Sequence, residues 1–159
     1  MTLQVPIVPH HINLDECPHC ELILNRYPGF YPPLRDWFLD FRAKNKEAHV
    51  SCAGRGYLDQ ENAFVRKISR AHYGESAHNY NAALDIFEMT VGDPNIYSRE
   101  WFEKVLAPNL APWIEWYGKV GSVFYELPHV EVRQWKALVK AGAINLVEEF
   151  GKIIPFGAD

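Results

Sequence analysis

The chain has 159 residues, 16 Lys+Arg against 20 Asp+Glu, and a formal net charge of −4. At 48% hydrophobic and 23% charged residues, it has the composition of a globular protein long enough to bury about two-thirds of its surface. Mild acidity argues against broad neutralisation of nucleic-acid phosphates, no run of about 18 apolar residues offers a membrane span, and three cysteines are too few for a disulfide framework, so a reducing compartment is expected.

Residues 1–33 hold six of the 11 prolines and are expected to form an irregular arm packed on a single domain spanning 34–159. The start of the chain lacks the basic and apolar stretches of a secretory signal. A first helix is expected after Pro32-Pro33, because Leu34, Trp37, Phe38 and Phe41 follow an i, i+3, i+4, i+7 stripe. His49 to Ala53 reads as a strand ended by Gly54 and Gly56. Residues 59–69 read as a helix with Asp59 as cap and Phe64, Val65 and Ile68 inward. Ala82 to Glu88 reads as a strand, and Ser98 caps a helix carrying Trp101, Phe102 and Val105 until Pro108 breaks it. A helical stripe is expected at Leu110, Trp113, Ile114 and Tyr117, with Trp116 off the stripe and near the substrate. Strands are expected at Val123 to Glu126 and His129 to Val132, and a last helix at Trp135, Leu138 and Val139, ending near Gly142. Helices and short strands mix without regular βαβ alternation, so the fold class is α+β with a small antiparallel sheet backed by helices.

Two clusters stand out among the seven histidines. One runs from Ser76 through His78 and Asn81 to Asp85. The other is Glu126-Leu127-Pro128-His129-Val130-Glu131. His49 and His72, which have no such neighbours, read as ordinary satisfied histidines. Two imidazoles and a carboxylate suit a catalytic zinc site that keeps one position open. Such an ion activates water, and an unligated carboxylate must take the water's proton and pass it to the leaving amine. His78, Asp85 and His129 supply the ligands on this reading, and Glu126 the base. An acidic residue between Leu84 and Ile86 in a half-buried strand needs a partner. Pro128 interrupts the strand so that Glu126 and His129 reach one point, and Glu131 accepts the second N–H of His129. Spacing alone also admits surface acids and two unrelated histidines.

These segments resemble a known family. Ser76-x-His78-x-x-Asn81-x-Ala83-x-Asp85 resembles the SxHxxGxAxD motif of zinc D-Ala-D-Ala peptidases of the VanY/VanX type, a group that includes the L-alanyl-D-glutamate endopeptidases used as phage endolysins. Glu126-x-x-His129-x-Glu131 is similar to that family's (D/E)xPHxE motif, and Arg55 with Gln60 looks like its strand-Arg-x4-Gln segment. The resemblance spans about residues 45–140. It implies a hedgehog/DD-peptidase-like fold, zinc held by His78, Asp85 and His129, Glu126 as general base and acid, Arg55 on the substrate carbonyl or developing oxyanion, and Ser76 orienting the first ligand segment. Asn81 stands where the family has Gly, and Asn is the least costly substitute if the position needs a left-handed backbone.

The implied activity is hydrolysis of peptidoglycan stem peptides at the L-Ala–D-Glu bond. The implied setting is a monomeric endolysin that gathers in the host cytoplasm and acts on the wall in the periplasm, without nucleic-acid or membrane partners. Three other readings stay open: a D-Ala-D-Ala carboxypeptidase or dipeptidase, a non-catalytic zinc-binding module of the same fold, and a virion-associated wall-opening enzyme. Cys17-Pro18-His19-Cys20 is half of a structural zinc site, which Cys52, His10, His11 or His19 could complete. A pair of free thiols is the favoured state.

Overall fold

Proline placement is the first point at which structure and sequence pattern part. The computed structural model describes residues 17–89, 97–119 and 126–147, and in it Pro18–Leu24 form a helix, α1. Pro18 occupies the first turn, where its missing N–H costs nothing, and the Cys17 sulfur caps the helix by accepting from the Cys20 N–H at 3.1 Å. Cys20, Ile23 and Leu24 are buried in the main core, so this part of the expected irregular arm is a packed element. His10 and His11 lie outside the described residues.

Helix α2, Pro32–Lys44, begins at the expected proline pair and buries Leu34, Phe38 and Phe41 on one face. Strand β1 is Ala48–Cys52. Helix α3, Tyr57–Val65, starts two residues early with Gly56 at its cap, and it buries Gln60 and Ala63. Val65 is 75% exposed and Ile68 58%, so the inward face expected there is corrected. Asp59 does not cap the helix; it holds Arg26 at 2.8 Å and accepts from the Tyr27 hydroxyl at 2.8 Å. The residues that α3 turns inward are chosen by the Gln60 hydrogen bonds described below, which apolar periodicity does not register.

A 3-10 turn, Ala77–Tyr80, leads into β2, Ala83–Glu88. Ser98 accepts from the Trp101 N–H and opens α4, Arg99–Trp101, which runs on into a π-helical turn over Phe102–Leu106 and a 3-10 turn at Pro108. The helical stripe expected at Leu110–Tyr117 is instead a turn and a short strand, β3, Ile114–Trp116. Pro112 would remove a helix hydrogen bond there, and Ile114–Trp116 can pair with β4, His129–Val132. The strand expected at Val123 to Glu126 falls outside the described residues except for Glu126, which belongs to no element. Helix α5, Trp135–Lys140, ends as expected, with Gly142 at φ 76°.

The four strands form one antiparallel sheet in the order β1-β2-β4-β3. Alternation then divides the two central strands. Leu84, Ile86, Val130 and Val132 face the core shared with Leu34, Phe38, Phe102 and Leu106. Each such side chain contributes about 1.5–3 kcal/mol when fully buried. Asp85, His129 and Glu131 share the other face, where the chemistry collects.

Candidate active site

The register of the sheet assembles the site. Asp85 on β2 lies directly opposite His129 on β4 and opposite Cys52 on β1. The β1–β2 register shifts between Val50 and Cys52. This irregularity turns Cys52 onto the face of Asp85, a common use of a bulge beside a functional site. The segment after β1 then carries Arg55 over the same face.

His78 arrives from the 3-10 turn. Ser76 caps that turn, accepting from the His78 N–H at 3.3 Å, while the Asn79 side chain completes a capping box with it. The turn closes at Asn81, whose φ of 55° and ψ of 36° are left-handed, the conformation in which Asn substitutes for Gly at least cost. The Asn81 amide also donates to the Pro28 carbonyl at 2.9 Å, and the Tyr31 N–H donates to the Asn81 carbonyl at 3.0 Å. A side-chain carbon added at Gly54 would overlap the Asn81 Oδ1 and touch the Tyr27 ring. Gly54→Ala is therefore expected to lower stability by about 1–3 kcal/mol, read as a shift in the denaturant midpoint; an unchanged midpoint would show that Asn81 yields freely.

Two imidazoles converge on one carboxylate oxygen. His78 Nε2 lies 3.3 Å and His129 Nδ1 3.1 Å from Asp85 Oδ1. Each ring's other nitrogen is committed. His78 Nδ1 donates to the Ala53 carbonyl at 2.6 Å. His129 Nε2 donates to Glu131 Oε1 at 2.8 Å. Glu131 is fixed in turn by the Tyr117 hydroxyl at 3.1 Å and the Trp135 indole N–H at 2.8 Å. With both of those protons assigned, His78 Nε2 and His129 Nδ1 are electron-pair donors that both face Asp85 Oδ1. Such an arrangement needs protons or a cation between them. His78 Nε2 is also buried with no hydrogen bond of good geometry.

The titration of these groups follows from the same contacts. Burial disfavours charge on all three, but their mutual attraction outweighs it. His78 is raised to about 10, against burial, by Cys52 and Asp85. His129 is raised by its hydrogen bonds to Asp85 and Glu131. Asp85 is held well below the usual carboxylate range by His78 and His129.

Cys52, His78 and Asp85 also form a compact group of ligating atoms. The Cys52 sulfur, however, faces His78 Nδ1 at 3.7 Å, the nitrogen already given to Ala53. The ring presents Asp85 and Cys52 with opposite edges, so one ion cannot use Nε2 toward Asp85 and Nδ1 toward the sulfur. His78 Nε2 and His129 Nδ1 are the two uncommitted ring nitrogens that both face Asp85 Oδ1.

Arg55 lines one side of the site. Its guanidinium donates to Gln60 Oε1 at 3.2 Å and to the Cys52 sulfur at 3.4 Å, and lies 3.8 Å from Asp85 Oδ2. Gln60 is itself held by the Ser69 hydroxyl, the Ala71 carbonyl and the Asn79 amide. This network explains the burial of a polar residue on α3. Glu126 sits at the rim, 49% exposed, with Oε2 3.7 Å from His129 Nδ1. Its backbone is pinned between the Tyr117 carbonyl at 3.0 Å and the His129 N–H at 3.3 Å. All seven residues singled out in the sequence (Arg55, Ser76, His78, Asp85, Glu126, His129 and Glu131) thus lie in one connected cluster. The Trp116 indole N–H donates to the Leu127 carbonyl at 2.8 Å, bracing the segment between Glu126 and His129. Sequence reasoning missed Cys52 in this cluster and Tyr117 and Trp135 as the groups that hold Glu131. Tertiary packing brings them in: Cys52 through the sheet register, Tyr117 from the end of β3 and Trp135 from α5.

Neither a protein-family model nor a curated protein matches the sequence. Among solved structures, the fold is similar to that of Serratia marcescens L-Ala D-Glu endopeptidase ChiX, with a TM-score of 0.56 at 16% identity, over 74% of this chain and 88% of that one. At that identity the likeness establishes the architecture: an α+β protein with a small antiparallel sheet, folded as that endopeptidase is.

Proposed function

We propose that this chain is a zinc-dependent peptidase that hydrolyses peptidoglycan stem peptides at the L-Ala–D-Glu bond, and that it serves a bacteriophage as an endolysin. The observation that carries the reading is the convergence of His78 Nε2 and His129 Nδ1 on Asp85 Oδ1 with both remaining ring nitrogens committed. The fold likeness to an L-Ala D-Glu endopeptidase and the motif resemblance support the substrate class. The endolysin role and its periplasmic site of action rest on the motif resemblance alone.

His78, Asp85 and His129 would hold the ion, which when bound supplies Lewis-acid polarisation of the scissile carbonyl and an attacking water of lowered pKa. Glu126, at the open rim, accepts the water's proton and returns it to the leaving amide nitrogen. Arg55 presents guanidinium N–H groups to the carbonyl oxygen as charge develops on it, in a site where few waters compete. Glu131 fixes the His129 tautomer and aims its Nδ1. An enzyme that removes a terminal D-Ala needs a cation to capture the free carboxylate. On this reading Arg55 serves the carbonyl oxygen and is not available for that capture, which favours a cut within the peptide.

Removing the orienting carboxylate should weaken the ion without removing a ligand. Glu131→Gln is expected to lower metal affinity by about 10–100-fold, measured by competition with a chromophoric chelator. Unchanged affinity would mean that an uncharged amide oxygen at position 131 places the His129 ring as well as the carboxylate does.

The reading is tested by mass spectrometry of fragments released from purified Gram-negative peptidoglycan by the zinc-loaded protein, beside a chelated control. Peptides beginning at D-Glu, released from glycan that keeps L-Ala, are expected only with metal. Loss of terminal D-Ala alone would assign a carboxypeptidase, and no release despite tight zinc binding would assign a binding module.

A further inference from the structure

A second cluster of metal-type ligands lies apart from the residues given catalytic roles. The Cys17 sulfur is 3.2 Å and the Cys20 sulfur 3.7 Å from Nδ1 of His49. All three side chains are buried, His49 completely. Cys17 and Cys20 stand at the start of α1, with their Cα atoms 5.2 Å apart and their sulfurs joined as a disulfide, in place of the free thiols expected from the sequence. His49 comes from β1, 29 residues beyond Cys20. The sequence analysis offered Cys52, His10, His11 or His19 as completing partners of the cysteine pair. His19 is buried in the same turn but is outside the group of converging donor atoms.

We propose that, with the cysteine pair reduced, Cys17, Cys20 and His49 bind a zinc ion that fastens α1 to β1. A disulfide between residues three apart closes so short a loop that it constrains little beyond its own turn. Nor does it need an imidazole nitrogen aimed at both sulfurs. A zinc ion needs that geometry, and the donor set of two thiolates and one imidazole suits it. Two features prepare the ligands. The Cys20 N–H donates to the Cys17 sulfur at 3.1 Å, which favours the thiolate. The Phe87 ring, opposite His49 in the sheet, stacks on the imidazole at 5.5 Å and fixes its orientation. These side chains supply three of the four ligands of a tetrahedral zinc, and their burial contrasts with the open rim at Glu126. The proton and electron balance is simple. A dithiol reductant gives two electrons and two protons to the disulfide and becomes a disulfide itself; the two thiols then lose their protons as zinc binds.

The ion would join elements distant in sequence at a useful place. β1 leads straight to Cys52, Ala53 and Arg55, and the Ala53 carbonyl positions His78. The site would therefore brace the strand from which the catalytic cluster hangs, without entering it.

Cobalt(II) titration of the reduced full chain tests this independently of the catalytic proposal. A thiolate-to-cobalt charge-transfer band in the near ultraviolet is expected in the reduced protein and absent from the disulfide form. It should be lost in Cys17→Ser/Cys20→Ser and kept in Cys52→Ser and in His78→Ala. Reduced protein should also bind about one zinc ion per chain more than oxidised protein, a comparison that needs no variant. The single variant His49→Gln should lose the additional equivalent that reduction brings. Absence of the band from the reduced chain would overturn the proposal, as would a band abolished by Cys52→Ser and untouched by Cys17→Ser/Cys20→Ser.

Discussion

Glu126→Gln is expected to lower peptide hydrolysis by about 10²–10⁴-fold while leaving zinc affinity and stability unchanged. The substitution keeps the shape of the side chain and removes only its capacity to take a proton. Nothing in the packing should compensate. Glu126 is 49% exposed, and its position is set by its own backbone, held by the Tyr117 carbonyl and the His129 N–H. A half-exposed side chain whose contact with His129 is as long as 3.7 Å changes stability by less than about 0.5 kcal/mol. Its carboxylate lies 3.7 Å from His129 Nδ1, close enough to meet a water at the site and outside the set of converging lone pairs. Activity retained in the variant would remove Glu126 as the base. Zinc lost together with activity would make it a ligand.

Asp85→Asn is expected to do the opposite: it should abolish zinc binding and hydrolysis together and destabilise the metal-free protein. Asp85 is in contact with both His78 and His129, and Arg55 lies beside it. Breaking a buried charge network by removing its central member costs about 3–5 kcal/mol. The pH dependence follows from the two shifts. The Asp85 carboxyl is depressed well below 3.8, so its stabilisation is present above that value and lost as pH falls through the lower, folded one. His78 is raised from 6.5 to about 10, so its contribution is complete below 6.5 and is lost as pH rises toward 10. Metal-free protein should therefore show its highest denaturation midpoint between these limits, and the advantage over Asp85→Asn should shrink at both ends. A variant that binds zinc within about tenfold of the unmodified chain, or whose stability profile matches it across this range, would contradict the assignment.

The elements that carry the site were legible because their signals are local. An alternating apolar pattern marks β2 and leaves Asp85 as the exception that needs a partner. A helical stripe after a proline pair marks α2. Asn81 stands where the resembled family has Gly, which suggested a left-handed position that Asn tolerates best after Gly, and its φ of 55° agrees. Three features were not legible. β3 forms because β4 offers it an edge, so the apolar spacing at Leu110–Tyr117 pointed to the wrong period. α3 turns Gln60 inward and leaves Val65 and Ile68 in solvent, because a hydrogen-bond network outweighs apolar burial there. His49 read as an ordinary histidine because its neighbours, Cys17 and Cys20, reach it only through the packing of α1 on β1. Residues that act within a few positions of one another leave a motif, and residues joined by tertiary packing leave none.

The claim on which the rest depends is that a metal ion binds among His78, Asp85 and His129. Anomalous diffraction at the zinc absorption edge, from crystals of the zinc-loaded chain, tests it directly. The account predicts a peak within bonding distance of His78 Nε2, Asp85 Oδ1 and His129 Nδ1, with Glu126 beside it and unbound. A peak held by the Cys52 sulfur, or no peak at these three side chains, would contradict it.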